Sequence, residues 1–489
     1  MTSKPGSGPA GMNTSVKIGA AAFIMAVVIL LGLMLVSGLL TVVLESGSYE
    51  RISVDGRVLI TPGSYQVVEK PDYPFWRWFT APVEILFTEG NVTLITLILF
   101  LFAVGGSITI LEQIHVMDML IQILIDRFKA SRYLLMGVVI LLFMALPSLL
   151  GIYEGLVPVI IFVVPMARRL GWDSLTGLGM SLLPMAFGLS AAISNPFTIA
   201  VAQTIADLPI FSGAWLRIIF FVLVYAAVYG FVYRHARKVE EDPGRSIIYQ
   251  EDRKLEIRES KSFEPEQAKQ VRRGLTWFSV WIGIALLVVL SVAFFPDLGF
   301  LAFPLMGLMF LIGGFGAGVL SRHRFSRILG IFLAGGKNII PGALLIMLAY
   351  SVKYIIDSGM VTDTLLFMAA GAIEQASPFG SVLLVYLITL VMNFFIGSAS
   401  AKAFLMMPIL VPLADLVGIT RQTAVLAFGY GDGFSNMIFP TNPLLLIALS
   451  FTVVSYVKWI RWTLLLQFFM AALSLIFMFI AVSIGYGPF

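Results

Sequence analysis

Residues 188–198 read GLSAAISNPFT, and residues 433–443 read GFSNMIFPTNP. Each sets an Asn-Pro pair inside a long apolar stretch. At one constant offset along the chain, Pro165, Ala167, Gly171, Asn195 and Pro196 match Pro412, Ala414, Gly418, Asn442 and Pro443, with Ser194 opposite Thr441. Proline lacks the backbone donor and clashes with the preceding turn, so each pair interrupts a helix and frees carbonyls. In both halves a broken apolar hairpin precedes the broken helix. The pattern predicts an all-α polytopic membrane protein built as an inverted repeat, with about nine spans, two re-entrant hairpins and two broken helices.

Composition supports this outward from the breaks. Of 489 residues, 59% are hydrophobic and only 12% charged, against roughly 25% charged in soluble domains. A net charge of +4 fits basic cytoplasmic loops. No basic stripe interleaved with aromatics is present, so no nucleic-acid partner is expected. Cysteine is absent, which excludes thiolate chemistry, and His115, His235 and His323 lie far apart. No cofactor is expected beyond Na⁺ or H⁺ as a coupling ion.

The expected order is a disordered cytoplasmic tail (1–17), a first repeat (18–234), a cytoplasmic linker (235–273), a linking span (274–296) and a second repeat (297–489). The first repeat holds an external loop at 45–90, a hairpin at about 133–167 and a broken helix at about 174–206. Asp55-Gly56 marks a small β-hairpin in the loop, and Trp76, Trp78 and Phe79 an interfacial belt. The second repeat holds spans near Ile339–Tyr354 and Ile460–Ile484, a hairpin at about 380–415 and a broken helix at about 420–449. Amphipathic pieces, His115–Phe128 and Thr362–Glu374, are expected in the interface. Lys129 and Arg132 precede the first hairpin and Arg168 and Arg169 follow it, so both its ends are expected inside the cell. The linking span reverses the second repeat. The N-terminus is therefore expected in the cytoplasm and the C-terminus outside, with Asp415 on the external side. The charged linker is read as solvated.

Broken backbone at membrane depth is tolerated only in protein or around a wet cavity, so the breaks are site candidates. The substrate-contact candidates are Gly151, Tyr153, Glu154, Gly155, Ser194, Asn195, Thr198, Gly397, Ser398, Ser400, Lys402, Asp432, Thr441 and Asn442. The coupling-ion candidates are Glu154, Ser190, Asn195, Asn393, Asp432, Ser435, Asn436 and Asn442. Half-helix N-termini can hold a carboxylate, and freed carbonyls a cation. A carboxylate such as Glu154 or Asp432 at membrane depth is costly unless paired, protonated or ion-bound. Lys402 either pairs with one of them structurally or draws in a substrate carboxylate.

Ala427-Phe428-Gly429-Tyr430-Gly431-Asp432-Gly433-Phe434-Ser435 running to Pro440-Thr441 resembles the anaerobic C4-dicarboxylate carrier (DcuC) family of the ion transporter superfamily, in its YfcC-type members. Ile193-Ser194-Asn195-Pro196-Phe197 through Gln203, and Met407-Pro408 through Gly418, are similar too. The resemblance implies a cell (inner) membrane secondary carrier, a homodimer, moving dicarboxylates or basic amino acids by antiport or cation coupling. Two positions depart from the family pattern. Gly155 stands where a second Glu follows the residue matching Glu154, and Lys402 stands where relatives carry Gln. Both changes move the local charge towards positive, which favours a carboxylate-bearing anion over a basic amino acid such as arginine or ornithine. Two other classes compete: a passive channel, and an intramembrane aspartyl protease suggested by Gly429-Tyr430-Gly431-Asp432. The protease reading lacks a second aspartate preceded by Tyr and a Pro-Ala-Leu motif.

Overall fold

The computed structural model describes residues 20–54, 57–88, 92–128, 131–255, 265–294 and 301–487. The tail 1–17, the turn Asp55-Gly56, Lys129 and the linker stretch 256–264 lie outside the described residues.

The chain opens with the apolar helix α1 (Ala20–Val43). An excursion follows in which β1 (Gly47–Ser48) pairs antiparallel with β4 (Gln66–Val67), and β2 (Arg51–Val54) with β3 (Arg57–Ile60). The helix α2 is Arg77–Glu84. Trp76 and Phe79 are exposed there as a belt requires, but Trp78 is buried. Its indole lies against Gly38 of α1, where no Cβ would fit, so Trp78 is a packing residue rather than an interfacial anchor.

The elements then run in a repeated order. In the first half they are α3 (Val92–Gln113), α4 (Val116–Phe128), the hairpin α5 (Arg132–Leu150) and α6 (Val157–Arg169), the broken helix α7 (Ser174–Ser190) and α8 (Ile199–Ile205), and α9 (Ala214–Glu241). Then come α10 (Tyr249–Lys254), α11 (Pro265–Phe294) and α12 (Ala302–Leu320). The second half has α13 (Phe325–Ser358), α14 (Thr362–Glu374), the hairpin α15 (Pro378–Phe395) and α16 (Ala399–Val417), the broken helix α17 (Arg421–Asp432) and α18 (Pro443–Ser450), and α19 (Tyr456–Ser483). Ten described helices are long and apolar enough to cross a membrane. Three of them (α5, α15 and α16) are hairpin arms. The expected span Ile339–Tyr354 is the second part of α13, which begins at Phe325 and continues through Pro341 without breaking.

Every residue of α7, and every residue of α17 after Arg421, is buried. A helix apolar all round belongs in a core, and here the hairpins α5–α6 and α15–α16 pack on these two central helices. The outer helices turn large side chains such as Val43, Leu287 and Leu465 outwards, as a hydrocarbon surround requires.

The linker is not simply solvated. Arg168 Nη2 donates to the carbonyls of Asp252 and Leu255 at 3.1 and 2.9 Å. The Asp252 carboxylate accepts from the Ser174 backbone N at 2.7 Å, and Lys458 pairs with Glu251 at 2.6 Å. The charged stretch around α10 therefore clasps the first hairpin, the first broken helix and α19 together. Asp173 caps α7, accepting from Thr176 N at 2.8 Å, and is also held by Ser246 and His235 at 2.6 and 2.9 Å.

Candidate functional site

The first hairpin turns at Gly151, whose φ of 70° is left-handed, a conformation glycine adopts without a Cβ clash. A Cβ there would also strike Asn195 and Phe197. This close approach sets the tip on the first break. Ser148 Oγ donates to Ala191 O at 2.6 Å, Ser194 Oγ to Leu149 O at 3.1 Å, and Asn195 Nδ2 to Pro147 O at 3.0 Å. Asn195 Oδ1 accepts from Phe197 N at 2.8 Å, replacing a bond that the interrupted helix cannot make. Asn442 does the same in the second half, capping α18 by accepting from Leu444 N at 2.9 Å.

The two halves interlock at these points. Tip one reaches break two, where Tyr153 Oη accepts from Asn442 Nδ2 at 3.5 Å. Tip two reaches break one, where Ser400 Oγ donates to Phe197 O at 2.7 Å. Ser190 Oγ accepts from Phe434 N at 2.6 Å, tying the end of α7 to the 3-10 turn Phe434–Met437. Around this crossing lies a cavity of about 560 Å³, within the size range of small-molecule sites.

Of the expected substrate contacts, Gly151, Tyr153, Glu154, Gly155, Asn195, Thr198, Gly397, Ser398, Ser400, Asp432, Thr441 and Asn442 line the cavity. Ser194 and Lys402 do not. Lys402 is fully buried behind the wall, its ammonium against the Asp432 carboxylate and Asn393 Oδ1. Among the coupling-ion candidates, Asn393 and Asn436 also face the cavity, while Ser190 and Ser435 sit behind it. Asn393 Nδ2 lies 2.9 Å from Asp432 O, 2.7 Å from Ser435 Oγ and 3.2 Å from Asn436 Oδ1.

Glu154 is exposed to the cavity, and no ion pair joins it to a described cation. Sequence reading missed Tyr350 and Lys353 of α13, both in the cavity wall. The Lys353 ammonium is half-exposed and only loosely paired, 3.9 Å from Asp357. The available signal is a lysine within an apolar run, which by composition alone reads as a plain span. The N-terminus of α16 is capped by Ser398, which accepts from Ala401 N at 3.3 Å. This end and that of α18 open on the cavity, bringing partial positive charge to it.

The chain is 28% identical over 481 residues to an Escherichia coli (strain K12) protein named putative basic amino acid antiporter YfcC, covering 89% of this chain and 91% of that one. An uncharacterized Haemophilus influenzae protein is 26% identical, with 82% and 77% covered. Two solved structures are similar at 18% identity: MtrF of Neisseria gonorrhoeae (TM-score 0.41, 94% of this chain and 95% of that one) and the YdaH transporter of Alcanivorax borkumensis (TM-score 0.40, 96% and 100%). The model of the C4-dicarboxylate anaerobic carrier family (DcuC) matches residues 21–483. This chain is a multi-pass membrane carrier and not an enzyme: it belongs to the C4-dicarboxylate anaerobic carrier family.

Proposed function

We propose that the protein is a secondary active transporter, an ion-coupled symporter or exchanger, of a small carboxylate-bearing metabolite such as a dicarboxylate, working by alternating access. One observation carries this reading: both hairpin tips and both helix breaks converge on one cavity, into which two helix N-termini open and whose wall includes Lys353. Helix N-termini and a lysine suit a carboxylate. If the broken helix α7–α8 and each non-hairpin span cross once, α3 and α13 run in opposite directions, which supports an inverted repeat. The clustering of Arg132, Arg168 and Lys458 on the linker residues Glu240, Asp252 and Glu251 supports placing that face, and the N-terminus, in the cytoplasm. The oxygen-rich groups of the two breaks, from Ser190 and Asn195 to Asn436 and Asn442, are proposed to serve the coupling ion of the cycle or, where no metal cation binds, the polar groups of the solute. A homodimer in the cell membrane is proposed from family likeness.

A second reading, a basic amino-acid antiporter, is favoured by the unpaired Glu154 in the cavity and by the name of the Escherichia coli relative. Reconstituted vesicles separate the two. Saturable uptake and counterflow of a labelled four-carbon dicarboxylate, without arginine transport, is the expected result. Arginine counterflow alone selects the antiporter, and ohmic conductance without exchange selects a channel.

A further inference from the structure

We propose that Lys402 is a tethered cation: its ammonium occupies the position between hairpin two and the second broken helix that a bound Na⁺ would need, so that the carrier works without Na⁺. This deepens the carrier reading of the site and rests on it.

Lys402 stands in the first turn of α16, and its Nζ contacts Asp432, the last residue of α17, and Asn393 of α15. It is 0% exposed and Asp432 2%. Asp432 ends α17, where the helix dipole is negative, and Asn393 is held beside that end by its bond to Asp432 O. The Asn393 amide cannot be turned the other way, because its Nδ2 already faces three acceptors: a carbonyl, a hydroxyl and an amide oxygen. Its Oδ1 is thereby fixed towards Lys402. A carboxylate, an amide oxygen and a helix C-terminus, gathered beside a substrate-sized cavity, form the donor set that hard cations take. A lysine ammonium is a compact point charge on a flexible stem, and here it fills that place.

The pair belongs to one half only. At the repeat offset, Lys402, Asp432 and Asn393 fall opposite Gly155, Met185 and Leu146. The ion pair is therefore not part of the scaffold shared by both halves. A tethered charge holds the hairpin on the broken helix but cannot leave on either side of the membrane. The driving force must then come from solute exchange or from protons.

The test uses purified full-length protein in detergent, with labelled Na⁺ binding and thermal unfolding in NaCl against choline chloride at equal ionic strength. The wild type should bind no labelled Na⁺ specifically and unfold at the same temperature in both salts. Lys402→Gln empties the position and keeps an oxygen there. It should bind labelled Na⁺ saturably and gain several degrees in NaCl over choline. Adding Asp432→Asn should abolish that gain. Selective Na⁺ stabilisation of the wild type, or a folded Lys402→Gln protein indifferent to Na⁺, would overturn the proposal. If Lys402→Gln does not fold, the wild-type comparison decides alone. None of these measurements involves solute movement, so failed counterflow would sink the carrier reading separately.

Discussion

The hydroxyl of Tyr153, at the turn of the first hairpin, meets the side-chain amide of Asn442, at the break of the second half, at 3.5 Å. Asn195 holds the same hairpin from the first break, 3.0 Å from Pro147 O. One tip is thus clamped between two helix breaks far apart in sequence.

Replacing either asparagine with Ala removes a bond to an interrupted backbone and leaves buried donors unpaired, at about 1–3 kcal/mol each. Asn195→Ala and Asn442→Ala should each lower counterflow by roughly tenfold or more, measured in vesicles at matched protein content. Wild-type uptake by both variants would remove the breaks from the site.

The two tip glycines should respond oppositely to a methyl group. Gly151→Ala meets a left-handed backbone and the Asn195 side chain, so it should destabilise by about 1–2 kcal/mol or more and lower the unfolding temperature. Gly397→Ala meets open space and should leave that temperature within error.

Charge in the cavity wall should sort substrates. Lys353→Gln is expected to raise KM for a dicarboxylate by about tenfold, the effect of losing roughly 1.4 kcal/mol, with little change in unfolding temperature. Glu154→Gln should leave dicarboxylate KM unchanged or lower it. If Glu154→Gln abolished uptake of arginine while dicarboxylate remained untransported, the amino-acid reading would replace the one proposed.

Asp173 gives the aqueous clasp an acid limit. Burial pushes its carboxyl up, but hydrogen bonds from His235, Ser246 and Thr176 outweigh this and hold it below the usual carboxylate range. Its folded value is therefore lower than its unfolded one. The stabilisation is fully present above the unfolded value, about 3.9, and is lost as pH falls through the folded value. Stability should thus not change through this group between pH 7 and 5. Asp173→Ala should cost about 1–2 kcal/mol at neutral pH and weaken the acid dependence, as read by thermal unfolding across pH.

The breaks and hairpins were legible because an Asn-Pro pair acts locally: Asn195 and Asn442 bond the freed backbone beside Pro196 and Pro443, whereas a lone proline such as Pro341 leaves its helix unbroken. What Lys402 touches was not legible, since both an ion pair and a substrate contact need the same residue type, and only packing places it behind the wall. Lys353 was missed for the opposite reason. Its neighbours are apolar enough to read as a span, and one charge scarcely lowers the average over such a window. Trp78 was misplaced because an indole suits an interface and a glycine notch equally, and Gly38 is remote in sequence. The linker's docking depended on partners such as Lys458 that are far along the chain.

The complete enclosure of α7 bears on how the chain is made. The last residue of that helix, Ser190, is satisfied by Phe434, which the ribosome delivers only near the end of synthesis. Until then the newly inserted first half holds a helix with an unfilled flank. Its final seat must wait for residues 421–450, so a polypeptide stopped at the midpoint should be a substrate for membrane quality control rather than a half-sized carrier.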